Sequence, residues 1–199
     1  MSLSPPFDIP TLDDLGVDLR TVLDGLGSPT AEATKWFTAL RANTHDSGVV
    51  TSLFHELGFW RDILALTWNF RTIRGSDAIK HLLDARLART GFAALSLAED
   101  SFRAPTLLRP LPDVVFLRFC FEFETNCGRG TAVAFLVPTS GAQWKAWSLL
   151  TCLESLRDHP EMVCSSLSPS KAPHGRLNRW GLYATPQWTP NGRSDGIGS

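Results

Sequence analysis

The sequence is short of several things, and each shortage removes a class of function. Neither sign of charge dominates: 19 Lys and Arg stand against 20 Asp and Glu in 199 residues, a formal net charge of -1. A general nucleic-acid binder needs a basic excess, and an acidic solvating tail needs the reverse, so neither is expected. Long apolar runs are missing too. Val114–Leu117 continues past Arg118 only to Phe121, far below the ~20 residues that span a bilayer. MSLSPPFDIPTLDDLG at the N-terminus has no basic start and no apolar stretch, so it does not read as a signal peptide. Cys120, Cys127, Cys152 and Cys164 form no C-x-x-C, and none has a His at zinc-finger spacing. Free thiols in a reducing, cytoplasmic compartment are the expectation. The five His are scattered without metal spacing, so no metal is expected. There is no G-x-G-x-x-G and no H-E-x-x-H, hence no glycine turn for a pyrophosphate and no zincin helix. No cofactor is called for.

Aromatic residues are what the chain does have, and they are unevenly chosen. Seven Trp and twelve Phe accompany one Tyr. That set suits an apolar core or a pocket for an apolar ligand. Hydrophobic residues are 43% of the total and charged residues 20%, the composition of an ordinary globular domain.

Pro and Gly punctuate residues 1–29, leaving one short helical candidate, Leu12–Leu26; this reads as an arm. A helix is predicted over about 30–44, capped by Thr30, with Ala33, Trp36, Phe37 and Leu40 on one face. A second, over about 47–57, would end at Gly58. A strand is expected near 62–68, with 71–75 as a short extended piece. Residues 76–90 are amphipathic, with Ser76 as cap and Ile79, Leu82, Leu83 and Leu87 as stripe. From there the pattern is that of strands: 92–99, 114–125, 130–138 and 143–156, the last three forming an antiparallel meander. The proline-bearing stretch 100–113 reads as a loop. Residues 165–199, rich in Ser, Pro and Gly, read as a flexible tail, or as a lid through Trp180, Tyr183 and Trp188. Helices followed by antiparallel strands imply an α+β domain over 30–164, a curved antiparallel sheet around helices.

That order resembles the cone-shaped fold of nuclear transport factor 2, ketosteroid isomerase, scytalone dehydratase and SnoaL-type cyclases. LFHELGFWRDILALTWNFRTIRGSDAIKHLL, 53–83, and WKAWSLLTCLESLRDHPE, 144–161, are similar to the N-terminal cone domain of a group of fungal flavin-containing monooxygenases. Without the glycine fingerprint, flavin chemistry does not carry over. The resemblance implies a solitary cone of the sort found in isomerases, cyclases and dehydratases of polyketides and terpenoids, with an aromatic-lined cavity, no cofactor, and pairing of two copies through the sheet.

The resemblance also implies an acid facing the cavity near Asp62, in W-R-D beside two Trp residues. A carboxylate in an apolar pocket has a raised pKa and can shuttle a proton. The plainer reading is a rim ion pair with Arg61 or Arg71. His55 and His81 are candidate partners as acid, base or donor, though a lone helical His more often lies at the surface. Trp36, Trp60, Trp68, Trp147, Phe119 and Phe121 are candidate substrate contacts, with Trp144 as a further wall; core packing is the competing reading for each. Trp60, Asp62 and Trp68 share strand parity and so should share a face, while Trp144 and Trp147 should face opposite ways. In the meander, Val115, Leu117, Phe119, Phe121 and Phe123 take one face, and Arg118, Cys120, Glu122 and Glu124 the other.

The sequence thus favours a cofactor-independent biosynthetic enzyme of fungal-type secondary metabolism, cyclising or isomerising one apolar terpenoid or polyketide. The mechanism would be either proton transfer through Asp62 or a pericyclic closure of Diels–Alder type. A non-catalytic dimerisation or ligand-binding module derived from a flavin monooxygenase, or a carrier of an apolar metabolite, remains open beside it.

Overall fold

A computed structural model describes residues 9–25, 27–141 and 143–159. Four helices come mostly first: α1 Leu19–Gly25, α2 Pro29–Ala42, α3 Ser47–Ser52 and, after two strands, α4 Ser76–Thr90. The strands are β1 Phe54–Ile63, β2 Phe70–Arg74, β3 Ala93–Leu97, β4 Thr106–Leu111, β5 Val114–Glu124, β6 Gly128–Pro138 and β7 Trp144–Leu156. They form one sheet in the order β2-β1-β7-β6-β5-β3, with β4 sharing the free edge of β5. β3 takes the far half of that edge, opposite Phe121–Glu124, and β4 the near half, opposite Val114–Arg118. The domain is α+β as expected, and 114–156 is the expected meander. The sheet is mixed, however: β1 runs parallel to β7, its Trp60, Arg61 and Asp62 opposite Leu149, Leu150 and Thr151. Register breaks bend it within β1, β6, β7, β3 and β4.

Helices cover one face of this sheet. Trp36, Phe37 and Leu40 of α2, Val50 of α3, and Ile79, Leu82, Leu83 and Leu87 of α4 join Trp60, Leu117, Phe119, Phe121, Phe123 and Leu149 in one buried core. The sheet makes room for these bulky side chains with small residues. β6 presents Gly130, Ala132 and Ala134, and β7 presents Ala146. A Cβ on Gly130 would run into the Phe123 ring and the Cys152 carbonyl. Cross-strand partners of the large rings are thus small, which keeps density uniform.

Several expected boundaries move, each for a local reason. Ser28, not Thr30, caps α2: its side chain accepts from the Ala31 N–H, and Pro29 supplies a preset first position. Gly75, with φ 81°, replaces Ser76 ahead of α4. The second helix stops at Ser52, and Phe54–Leu57 already belongs to β1. Gly58 ends no helix; it lies in the bulge of β1, where a Cβ would sit 2.7 Å from the Ala146 carbonyl oxygen. The expected strand 62–68 ends at Ile63 and is followed by a turn. The loop 100–113 contains β4. In the arm the helix is confined to Leu19–Gly25, because Gly16 takes φ 63° and Asp18 caps α1 through the N–H groups of Arg20 and Thr21. A small second core of Leu12, Val22 and Val115 anchors that segment. The tail expectation for 165–199, with Trp180, Tyr183 and Trp188, lies outside the described residues, as does Cys164. Among the described residues no helix is long and apolar enough to cross a membrane.

Candidate functional site

Asp62 is the residue around which a proton-transfer site was expected. It sits at the inner face near the end of β1 and is fully buried. Its surroundings are polar in a particular way. One carboxylate oxygen accepts from the Leu66 N–H at 2.9 Å and the Thr151 hydroxyl at 3.0 Å. The other accepts from the Thr67 N–H at 2.8 Å and the Thr67 hydroxyl at 2.7 Å. An ionised carboxylate offers about four acceptor positions, so this one is fully subscribed. Three of the four donors belong to the turn between β1 and β2, where Leu64 takes φ 60° and its N–H reaches the Asn69 carbonyl. The carboxylate holds that turn closed. Thr151, its partner across the parallel pair, accepts in turn from the Trp60 indole N–H at 2.9 Å. A chain therefore runs from Trp60 through Thr151 to Asp62, all three fully buried.

The rim ion pair is corrected as well. The Arg61 guanidinium donates to the Thr72 hydroxyl, and among the described residues Asp62 has no cationic partner. Sequence reasoning singled out Asp62 and missed Thr67 and Thr151, the side chains that complete its shell. A hydroxyl five residues downstream of an Asp, across a short turn, was the available signal for Thr67.

The two histidines do not join Asp62. His81 is exposed on α4, on the side away from the stripe that packs into the core. His55 is not helical; it lies in the irregular start of β1. Its Nδ1 accepts from the Leu57 N–H, and its ring leans on Trp147 with centroids 5.3 Å apart. Burial lowers its pKa below the usual value, with Lys145 adding to the effect and Glu56 opposing it.

Four of the six aromatic candidates converge. Trp36 sets its edge against Phe119 at 5.7 Å, and its indole N–H donates to the Leu53 carbonyl. Phe119 neighbours Phe121 at 6.3 Å, Phe121 meets Phe37 at 5.5 Å, and Trp60 stacks on Phe54 at 5.6 Å. Trp60, Phe119 and Phe121 are fully buried, enclosed by protein with their faces against other rings. Trp68 is the correction: it lies beyond β1 in the turn, 68% exposed, so strand parity does not apply to it. Trp147 marks the bulge of β7. Ala146 and Leu149 both face the core although three residues apart, and the extra residue turns Trp147 outward to His55. The meander alternation holds for Leu117, Phe119, Phe121 and Phe123, while Val115 joins the second core and Cys120 is buried on the opposite face. Burial pushes the Cys120 and Cys152 thiols up, which keeps them protonated and poor nucleophiles. Among the described residues no group of three His, Cys, Asp or Glu could hold a metal.

No family model matches the chain, and no curated protein matches it. Among solved structures it is similar to a ketosteroid isomerase-like protein from Erwinia carotovora atroseptica, at 15% identity and a TM-score of 0.49 over 65% of this chain and 99% of that one. An NTF2-like protein with a cystatin-like fold from Novosphingobium aromaticivorans gives 19% identity and a TM-score of 0.43, over 71% and 89%. ActVI-ORFA from Streptomyces coelicolor gives 11% identity and a TM-score of 0.47, over 62% and 96%. These similarities assign the chain no activity.

Proposed function

We propose that the domain takes one apolar small molecule, terpenoid or polyketide in kind, and directs its cyclisation or isomerisation by shape, without a cofactor and without proton transfer through Asp62. The state of Asp62 carries this reading. To act as an acid or base, its carboxylate would have to give up at least one of four donors and open the turn that it closes, at a cost of about 1–3 kcal/mol for each polar group left unpaired. A ring closure that needs only a folded substrate and a hydrogen-bond donor makes no such demand. The pericyclic branch of the sequence reading is therefore preferred to the proton-transfer branch. The likeness of 53–83 to the cone domain of fungal flavin monooxygenases supports the biosynthetic setting.

Asp62→Asn tests the assignment. Its amide NH2 would face groups that donate, so the variant is expected to lose about 1–3 kcal/mol of stability. Offered linear polyene and polyketide precursors under conditions where it is folded, it should form the same cyclic products at the wild-type rate per folded molecule. A fall of about a hundredfold with the fold intact would restore Asp62 as the acid–base group.

A second reading has its own observation. Trp60, Phe119 and Phe121 are enclosed by protein, as in a non-catalytic module that binds a ligand or a second copy. Pairing through the outer face of the sheet belongs to either reading.

A further inference from the structure

Between α1 and the turn from β6 to β7 lies a half-open cavity of about 310 Å³, lined by Val17, Asp18, Thr21, Val22, Gly25, Pro138, Thr139, Ser140 and Trp144, with Gly16 at its edge. We propose that it is a binding site for a small, flat, uncharged aromatic molecule that carries a hydrogen-bond acceptor. The volume falls at the lower end of ligand pockets, ~300–1,000 Å³. Its walls are fixed from below: Val22 is buried in the second core, and Trp144 packs against both that core and the main one. A tryptophan shared by two cores is a rigid aromatic surface that loses little freedom on binding.

The polar groups select the ligand. The indole N–H of Trp144 donates to no described residue, and in the proposed complex its acceptor is a carbonyl or ether oxygen of the ligand. Among the described residues, the Asp18 carboxylate is the only charged group of the lining, and no Lys or Arg lines the cavity to offset it. It already accepts from two N–H groups of α1. Anions are therefore disfavoured. The site stands whether or not the domain catalyses anything.

The probe is 2-acetylnaphthalene, flat, neutral and carrying one carbonyl, with 2-naphthoate as its anionic counterpart. The readout is the indole N–H resonance of Trp144 in the full chain labelled with nitrogen-15, assigned by its loss in Trp144→Phe. Gly25→Leu is the blocking variant: Gly25 lines the cavity and nothing lies within 4 Å of a Cβ built there, so the protein accommodates a larger side chain at the wall. A saturable shift of the Trp144 resonance with 2-acetylnaphthalene is expected. Binding should be at least about tenfold weaker in Gly25→Leu and with 2-naphthoate, a difference of about 1.4 kcal/mol. No saturable shift, equal affinity in Gly25→Leu, or equal affinity for the naphthoate would each overturn the proposal. No turnover is measured, so its failure leaves the catalytic reading where it stands.

Discussion

At the scale of single residues, environment has reassigned groups whose identity was plain. Asp62 stands out in the sequence because a carboxylate among tryptophans invites proton chemistry. What decides its role is whether the space beside it holds a substrate or donors, and here four donors fill it. His55 is the group whose surroundings give a pH dependence. Burial holds its folded pKa below the usual 6.5, so the unfolded chain binds the proton more readily than the folded one. The His55 contribution to stability is thus complete above about 6.5 and is lost as pH falls through 6.5 toward the lower folded value. Glu56 raises that value and narrows the window, while Lys145 lowers it and widens the window. Urea midpoints taken between about pH 7.5 and about pH 5.5 should fall more for wild type than for His55→Gln. Parallel curves would mean that the imidazole is solvated alike in both states.

Elements are where legibility in the sequence can be judged. Helix α4 was readable because Ile79, Leu82, Leu83 and Leu87 follow the helical period and all four are buried. The meander was readable because β5 alternates and two glycines, at the start of β6, follow its turn. The start of β1 was not, because β1 spends five residues where β7 spends two between the same pairing points, and a bulge of that size erases the two-residue period. Gly58 then looked like a helix cap, when its need is the close carbonyl of Ala146. β4 was hidden by Pro110, which is tolerated where a strand pairs on one side only. Asp62 and Trp60 were found on their common face, while the fourth donor to Asp62 comes from Thr151 on β7, which no local pattern announces. The caps give a direct test of one boundary. Ser28→Ala should lower stability by ~1 kcal/mol, since the Ala31 N–H loses its acceptor. Thr30→Ala, one residue inside the helix and exposed, should change it by no more than ~0.5 kcal/mol. Denaturant midpoints of the two variants decide between Ser28 and Thr30 as the cap.

For the molecule as a whole, the question is what the face of the sheet opposite the helices does. Its middle is apolar and half-buried: Val133 and Leu150 lie side by side on β6 and β7, and Phe116 meets Phe135 edge-on at 5.9 Å. Charge lies toward its borders, with Arg103 bridging Asp100 and Glu122, and Arg129 and Arg157 both reaching Glu124. An apolar centre inside a charged rim is the usual anatomy of a protein interface, and we propose that two copies pair through this face. The expectation is a homodimer with two-fold symmetry, in which Val133 approaches its own counterpart. Val133→Glu would place two like charges near the axis, where their repulsion and desolvation act together. Val133 is not one of the core residues under the helices, so the variant should keep its fold, as judged by near-ultraviolet circular dichroism from the buried tryptophans. Sedimentation velocity should then give a dimer for wild type and a monomer for Val133→Glu. A wild-type chain that sediments as a monomer at high concentration would remove the pairing from both functional readings, and a variant that stays dimeric would move the interface elsewhere on the surface.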